Sequence, residues 1–385
     1  MLTIEDMQIP GLADLNAARL RTITGAETVD ILRLRYRPGK RAILHVETQS
    51  QGLRREGALW FFKGDKARRI ARRNKLAAHF DPETSALYEV FPQDHRMPQI
   101  RLFLENNAAL MRDMTGEDVT WDPVLMRYRP GLSCTFRSEL ADRGPVYVKL
   151  VNDDDPLRLR AANAEMRQAL RQTGLSVPRV LGVHAGVRAI VYDAAKGTAL
   201  DRLLSETGSD HLLDKVCRGL RHLWDAPLRP QRRLGPRELL DRARESAEFI
   251  AATVPESHAA VSGLVARLAT RLPDQPLRPI HGDMKLEHLF LDRGEIVLID
   301  TESLSLGLAD YDLAQLYARL WQAELAGLLP RQVAEPAAAR VRGHAGPAFD
   351  WCLGVVATRM AKFHAQRPGP DAARDIAMIL GRLDA

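Results

Sequence analysis

The pentapeptide RYRPG occurs twice in the chain, at residues 35–39 and 127–131, and each copy stands in the same local pattern. The first copy reads ILRLRYRPGKRAILHVE, then a polar stretch, then ALWFFKG; the second reads VLMRYRPGLSCTFRSEL, then ADRG, then PVYVKLV. Apolar and β-branched residues between turn signals predict strand, Pro-Gly turn, strand, turn, strand in both. Each third strand leads to a lysine, Lys63 in one copy and Lys149 in the other. A lysine shared three strands into each unit favours duplication over coincidence.

Beyond the second copy, LRLRAANAEMRQALRQTG has helical spacing, carries Glu165 sixteen positions past Lys149, and ends on a capping Gly174. VPRVLGVHAG and VRAIVYDAA then read as two more strands. Three strands, a helix and two strands form a small α+β unit, and from about residue 198 the pattern turns mostly helical. A chain of 385 residues exceeds the roughly 250 to 300 that one core supports. The expected division is a degenerate amino-terminal repeat over residues 1–116, a second small unit over 117–196 and a helical unit over 197–385.

Charge is the weaker guide. A net charge of +6 suits anionic partners without demanding them. The basic run Lys66, Arg68, Arg69, Arg72, Arg73, Lys75 has helical spacing and reads as a solvated helix face rather than a nucleic-acid site. Cys134, Cys217 and Cys352 are far apart, with no paired spacing for a disulfide framework or zinc site, which fits a cytoplasmic protein. No stretch approaches the ~18 apolar residues of a membrane span.

Chemistry concentrates in PIHGDMKLEHLFLDRGEIVLIDTESLSLGLADYDLAQLYARL. His281, Gly282 and Asp283 are followed by a hairpin pattern that closes on Asp300, seventeen residues after Asp283, and by the tail GLADYDLA. Phosphoryl transfer needs one carboxylate to orient a hydroxyl and a second to hold metal, brought together by a short hairpin. The HGD triplet, the hairpin and the D-x-D-L-A tail resemble those of aminoglycoside phosphotransferases and choline-kinase-like enzymes. That resemblance implies an α+β, protein-kinase-like two-lobed fold: a small antiparallel-sheet lobe, a mainly helical lobe, and here an additional N-terminal copy of the small lobe.

The resemblance also assigns roles. Asp283 would accept the proton of the acceptor hydroxyl, and Asp300 would bind the magnesium ions that bridge the phosphates of ATP. Lys149 would contact the α and β phosphates, with Glu165 as its partner, and Ser133 in the Pro-Gly turn would donate to a phosphate. The strand and turn at residues 191–196, including Asp193 and Ala195, would receive the adenine. Asp312 and His281 would support the catalytic loop, while Glu302 would touch metal through water or face solvent. Lys285 is open between a phosphate contact and a surface lysine.

One position departs from the family pattern. His288 stands where an asparagine is usual as second metal ligand, and imidazole prefers softer metals than magnesium. Three readings follow: a tolerated variant, a changed metal preference, or a nucleotide-binding pseudokinase serving as a regulatory or scaffold module. Residues 200–270 are mixed and rather basic, with Arg218, Arg221, Arg229, Arg232 and Arg233, whereas aminoglycoside sites are acidic. The expected acceptor is therefore a hydroxyl of a neutral or anionic sugar or metabolite.

Overall fold

The structure, a computed structural model, describes residues 4–13, 15–74, 80–367 and 369–383. Helix α1 (Ala17–Thr24) leads into strands β1 (Thr28–Arg37), β2 (Arg41–Ser50) and β3 (Leu53–Phe62), then helix α2 (Lys66–Arg73) and strands β4 (Phe80–Asp81) and β5 (Ala86–Val90). These strands form one sheet in the order β1-β2-β3-β5-β4. Helices α3 (Gln99–Glu105) and α4 (Asn107–Thr115) precede β6 (Val119–Arg129), β7 (Ser133–Leu140) and β8 (Gly144–Val151), then α5 (Pro156–Ala169). After a short β9 (Leu175–Ser176) come β10 (Val180–His184) and β11 (Ala189–Asp193). The second sheet, β10-β11-β8-β7-β6, has the topology of the first, and every pair of neighbours in both is antiparallel.

Register corrects the matching of the lysines. Arg41 pairs with Phe62 after the first Pro-Gly turn, and Ser133 pairs with Val151 after the second. Counting back two residues sets Trp60 opposite Ile43 where Lys149 stands opposite Thr135, so Lys63 corresponds to Asn152. Trp60 is wholly buried with Ile43, Phe62 and Leu87 beneath Ala67 and Ala71 of α2. The face that carries Lys149 in the second sheet is thus filled with apolar side chains in the first. Arg68, Arg69, Arg72 and Arg73 of the basic run point to solvent from α2, as a solvated face requires, and Lys75 lies outside the described residues.

Sequence reading missed the start of the repeat. In the first copy Asp6 accepts from the Tyr36 hydroxyl at 2.7 Å and from the Gly39 N–H at 2.8 Å. In the second, Asp94 accepts from the Tyr128 hydroxyl at 2.9 Å and the Gly131 N–H at 2.5 Å. The duplicated signal is therefore D-x-x-(Ile or Met)-Pro, in DMQIP and DHRMP, well ahead of RYRPG. Met97, Ile100, Phe103, Met111 and Met114 pack with Phe136, Val146 and Val148 of the second sheet. We therefore place the division between the copies ahead of Asp94 rather than at residue 116.

Residues 194–197 cross from the second sheet into the helical lobe. Gly197 has φ +88°, and a Cβ there would lie 2.1 Å from the carbonyl oxygen of Leu291, so only glycine fits the crossing. The lobe contains β12 (Thr198–Ala199), α6 (Leu200–Thr207), α7 (Leu212–Trp224), β13 (Arg233–Leu234), α8 (Pro236–Thr253), α9 (His258–Thr270), β14 (Arg278–Ile280), β15 (Leu289–Asp292), β16 (Glu295–Leu298) and β17 (Ser305–Gly307). Helices α10 (Ala309–Leu325), α11 (Arg331–Gly343), α12 (Phe349–Ala365) and α13 (Ala372–Gly381) complete it. The hairpin expected after HGD is β15–β16, closed by Arg293 and Gly294, both at positive φ. The architecture is α+β and two-lobed, with the extra sheet in front. Among the described residues, no helix is long and apolar enough to cross a membrane.

Candidate active site

A cleft of about 1200 Å³ lies between the second sheet and the helical lobe, and one rim of it, with Ile31, Leu32 and Arg33, comes from β1 of the first copy. Residues 281–283 enter this cleft as a loop after β14. Gly282 has φ +77°, and a Cβ would meet the Ser303 carbonyl oxygen at 2.8 Å, which explains the glycine of HGD. Asp312, fully buried on the first turn of α10, accepts from the N–H of His281 at 2.8 Å and of Gly282 at 2.9 Å. The Trp224 indole also donates to it, at 3.3 Å. Burial pushes the Asp312 carboxyl up, against the pull of His281 and these donors.

Gln315, one turn further along α10, accepts from the Met284 N–H at 3.0 Å. Its spacing from Asp312 puts both side chains on one helix face, a signal that was present in the sequence and went unused. His281 completes the clamp: its Nδ1 accepts from the Asp283 N–H at 3.4 Å, and its Nε2 donates to the Ile299 carbonyl oxygen at 3.0 Å. Asp310, also in the tail motif, accepts from the N–H groups of Gly346 at 2.7 Å and Ala348 at 2.9 Å, fixing the start of α12.

Held in this way, Asp283 presents both carboxylate oxygens to cations. Lys285 Nζ lies 3.1 Å from Oδ2, and Arg359, reached from α12, lies 3.9 Å from Oδ1. Burial would raise this carboxyl, but Lys285 and Arg359 draw it down to about 2. Lys285 is buried rather than a loop surface lysine.

Asp300 follows β16 in the left-handed region, φ 59° and ψ 43°, a conformation costly for a residue with a side chain and common where a loop is held for function. Lys149 Nζ lies 2.7 Å from Asp300 Oδ1 and 2.9 Å from Glu302 Oε1, and the Tyr192 hydroxyl donates to Glu302 at 3.0 Å. Burial opposes the ionised Asp300, yet Lys149 and the neighbouring donors hold its carboxyl far below the ordinary range. Glu302, the more deeply buried, is pushed up by burial. Among the described residues its Oε2 is buried without a hydrogen-bond partner.

His288 Nδ1 lies 3.1 Å from the Asp283 carbonyl oxygen, which assigns the ring proton to Nδ1. The lone pair on Nε2 then faces Asp300 Oδ2 at 3.5 Å. Burial and Lys285 lower the imidazole to about 3, so it is neutral near physiological pH.

The remaining expected residues divide. Ser133 lines the cleft at the start of β7, beside the Pro-Gly turn. That turn is wedged by the first copy: Arg35 donates to the Pro130 carbonyl oxygen, and a Cβ on Gly131 would lie 2.7 Å from the Trp60 ring. Ala195 lies on the crossing segment, whereas the Asp193 N–H is already given to the Arg179 carbonyl oxygen and its carboxylate faces Arg143 and Arg179. Glu165 is exposed on α5 and makes no ion pair among the described residues. The Lys149–Glu165 pair is thereby replaced by Lys149 with Asp300 and Glu302, because α5 turns Asn163 and Met166 inward instead. Of the arginines expected near the acceptor, only Arg232 lines the cleft; Arg33, Arg127, Arg129, Arg319 and Arg359 do so in their place.

No curated protein matches the sequence. The structure resembles that of a thermostable mutant of aminoglycoside phosphotransferase APH(4)-Ia in ternary complex with AMP-PNP and hygromycin B, at 16% identity and a TM-score of 0.53, covering 72% of this chain and 96% of that one. Another structure of APH(4)-Ia matches at 15% identity and a TM-score of 0.51, over 74% and 96% of the two chains. A choline/ethanolamine kinase family protein from Mesorhizobium loti has 17% identity and a TM-score of 0.48, over 75% and 94%. At such identity the likeness to APH(4)-Ia is one of fold. Residues 126–351, more than half of the chain, match the sequence profile of the phosphotransferase enzyme family, with HGD, the hairpin and the D-x-D-L-A tail inside the matched span. The chain belongs to the phosphotransferase enzyme family.

Proposed function

We propose that this protein transfers the γ-phosphoryl group of ATP to a hydroxyl of a small molecule, a sugar or metabolite rather than an aminoglycoside. The observation that carries the reading is the convergence of Asp283, Lys285, Asp300 and Lys149 from the two sides of a single cleft, with buried His288 directed at Asp300. Asp283 is ionised throughout the physiological range, and with its carboxyl at about 2 it is a weak base. Its contribution is to orient the acceptor hydroxyl and to take the proton late, as the phosphoryl group arrives; a loose transition state asks for positioning more than for base strength. Lys285, 3.1 Å from Asp283, would meet the transferring phosphoryl oxygens. Lys149 and the Pro-Gly turn with Ser133 would hold the α and β phosphates, and the backbone near Ala195 the adenine.

The donor set fits a divalent cation. Asp300 is ionised, the His288 lone pair faces it, and the buried oxygen of Glu302 has no hydrogen-bond partner among the described residues. Asp300 would hold magnesium, with His288 as a nitrogen donor where an amide oxygen is usual and Glu302 beside them. A bound cation would neutralise charge on the bridging phosphate oxygens. The remaining work falls to the chain: aiming the hydroxyl from Asp283 and keeping both carboxylates ionised through Lys285 and Lys149.

Release of ADP, measured with a panel of hydroxyl acceptors and with magnesium or manganese, tests the reading against a pseudokinase. Wild type should turn over, and Asp283→Asn should bind nucleotide equally and turn over at least a hundredfold more slowly. Equal rates for the two proteins under every condition would leave only the nucleotide-binding role.

A further inference from the structure

Charge in the cleft is uneven. Among the described residues, eleven lysines and arginines line it against eight carboxylates. Without Lys149, Lys285, Asp283, Asp300 and Glu302, nine cations face five carboxylates, one of which, Glu56, is already paired with His45 at 2.7 Å. The excess gathers around Asp283. Arg359 reaches it at 3.9 Å from α12. Arg319 comes from α10 and donates to Gln322, and Arg33 comes from β1 and donates to the Gln366 side chain at 2.9 Å. Among the described residues neither Arg319 nor Arg33 has a carboxylate within 4.0 Å; each is fixed by a neutral amide rather than by an ion pair.

A nucleotide does not account for these three. The proposed phosphate contact Lys149 is bonded to Asp300, whereas Arg359 faces Asp283. Arg129 stands where both Asp300 and Asp283 act on it. The charge of Asp283 bears on Arg33 and Arg359, and on Arg319 after the larger influence of Glu287. Burial and the nearby Arg129 and Arg127 pull Arg33 down to about 10, the mark of a guanidinium crowded by like charge. Planar guanidinium groups that converge with open donors form a fork for carboxylate or phosphate oxygens.

We propose that the acceptor carries an anionic group, a carboxylate or a phosphate monoester, bound by Arg33, Arg319 and Arg359, so that the amino-terminal copy supplies one wall of the acceptor site. This rests on the phosphotransferase reading for the word acceptor, while the anion site itself stands on the arginines. Arg33 is then a specificity residue given by a sheet that has lost its own nucleotide face.

The probes are sn-glycerol 3-phosphate, D-glycerate and glycerol, each bearing a hydroxyl, titrated calorimetrically into the full chain saturated with magnesium and AMP-PNP. One or both anions should bind at millimolar concentration or tighter while glycerol does not, and the stronger anion identifies the group. Arg33→Gln should weaken that binding at least tenfold without changing AMP-PNP affinity, and Arg33→Lys should recover part of it. Binding of neither anion, equal binding of glycerol, or an unchanged affinity in Arg33→Gln overturns the proposal. The same titration of Lys149→Met separates the two readings. Anion binding that survives when AMP-PNP binding is lost supports the arginine site even if nucleotide chemistry fails; anion binding lost with Lys149 assigns the anion to the nucleotide side and overturns it.

Discussion

Lys149 Nζ lies 2.7 Å from Asp300 Oδ1, joining the third strand of the second sheet to the end of the β15–β16 hairpin across the cleft. One ammonium therefore serves two carboxylates, since Glu302 is 2.9 Å away. Lys149→Met would leave both acids buried without a cation, at a cost on the order of 3 kcal/mol. We expect a lower melting temperature, restored more strongly by added magnesium than in wild type, and at least a tenfold loss of nucleotide affinity. Calorimetry and thermal melts with and without magnesium check both.

His288 presents a nitrogen lone pair where the family pattern has an amide. Imidazole favours manganese and later transition metals over magnesium more than an amide oxygen does. Asparagine in its place should lower the ratio of manganese-supported to magnesium-supported turnover. Steady-state rates with each metal measure that ratio, and an unchanged value would remove His288 from the metal.

The same residue sets an acid limit on stability. Its folded value of about 3 lies below the ordinary 6.5, so between those values the unfolded chain takes a proton that the folded chain refuses. Stability must rise with pH through that window and fall as pH drops from 6.5 toward 3. From pH 6.5 to 5 this term amounts to about 2 kcal/mol, and His288→Asn lacks it. Wild type should lose more melting temperature than the variant between pH 7 and pH 5.

Asp312 satisfies two loop N–H groups and one indole, and Asp312→Ala would strand all three in a dry site at about 1 to 3 kcal/mol each. Asp312→Asn keeps the shape but loses one charged acceptor. Its kcat should fall at least tenfold while KM for ATP changes less than threefold, because the loop around Asp283 loosens and the Lys149 side does not. Gly282→Ala should be inactive, since its Cβ would strike the Ser303 carbonyl oxygen.

Only one nucleotide should bind per chain despite two sheets of the same topology. Trp60 occupies the position of Lys149, and α2 covers that face with Ala67 and Ala71. Equilibrium titration with AMP-PNP should give a stoichiometry of one, and Trp60→Ala should also weaken that single site by loosening the wedge against Gly131.

Local chemistry was legible in the order of residues; partners across the cleft were not. HGD, the hairpin and the D-x-D-L-A tail could be read because backbone demands fix them: a left-handed glycine, a two-residue turn and an aspartate on a helix's first turn. The strands around both RYRPG copies were equally plain. Lys63 was mismatched because it lies one residue past the end of β3 whereas Lys149 lies two residues before the end of β8, so reading both as the strand's last residue slips the register by three. Glu165 had a plausible spacing, but which carboxylate meets Lys149 depends on how the lobes close. The cationic wall was invisible for a related reason, as its arginines come from β1, β6, α10 and α12.

Strand β1 touches both sides of the cleft. Arg35 grips the Pro130 carbonyl oxygen of the second sheet, while the next residue but one toward the amino end, Arg33, and the Leu34 N–H both bond Gln366, just past the end of α12, the latter at 2.6 Å. A two-lobed enzyme joined only at residues 194–197 would open like a jaw about that single hinge. With a strap fastened on the opposite side, any such rotation must unfasten β1 from Gln366 or drag the whole front sheet along, so opening of this cleft is coupled to the front sheet.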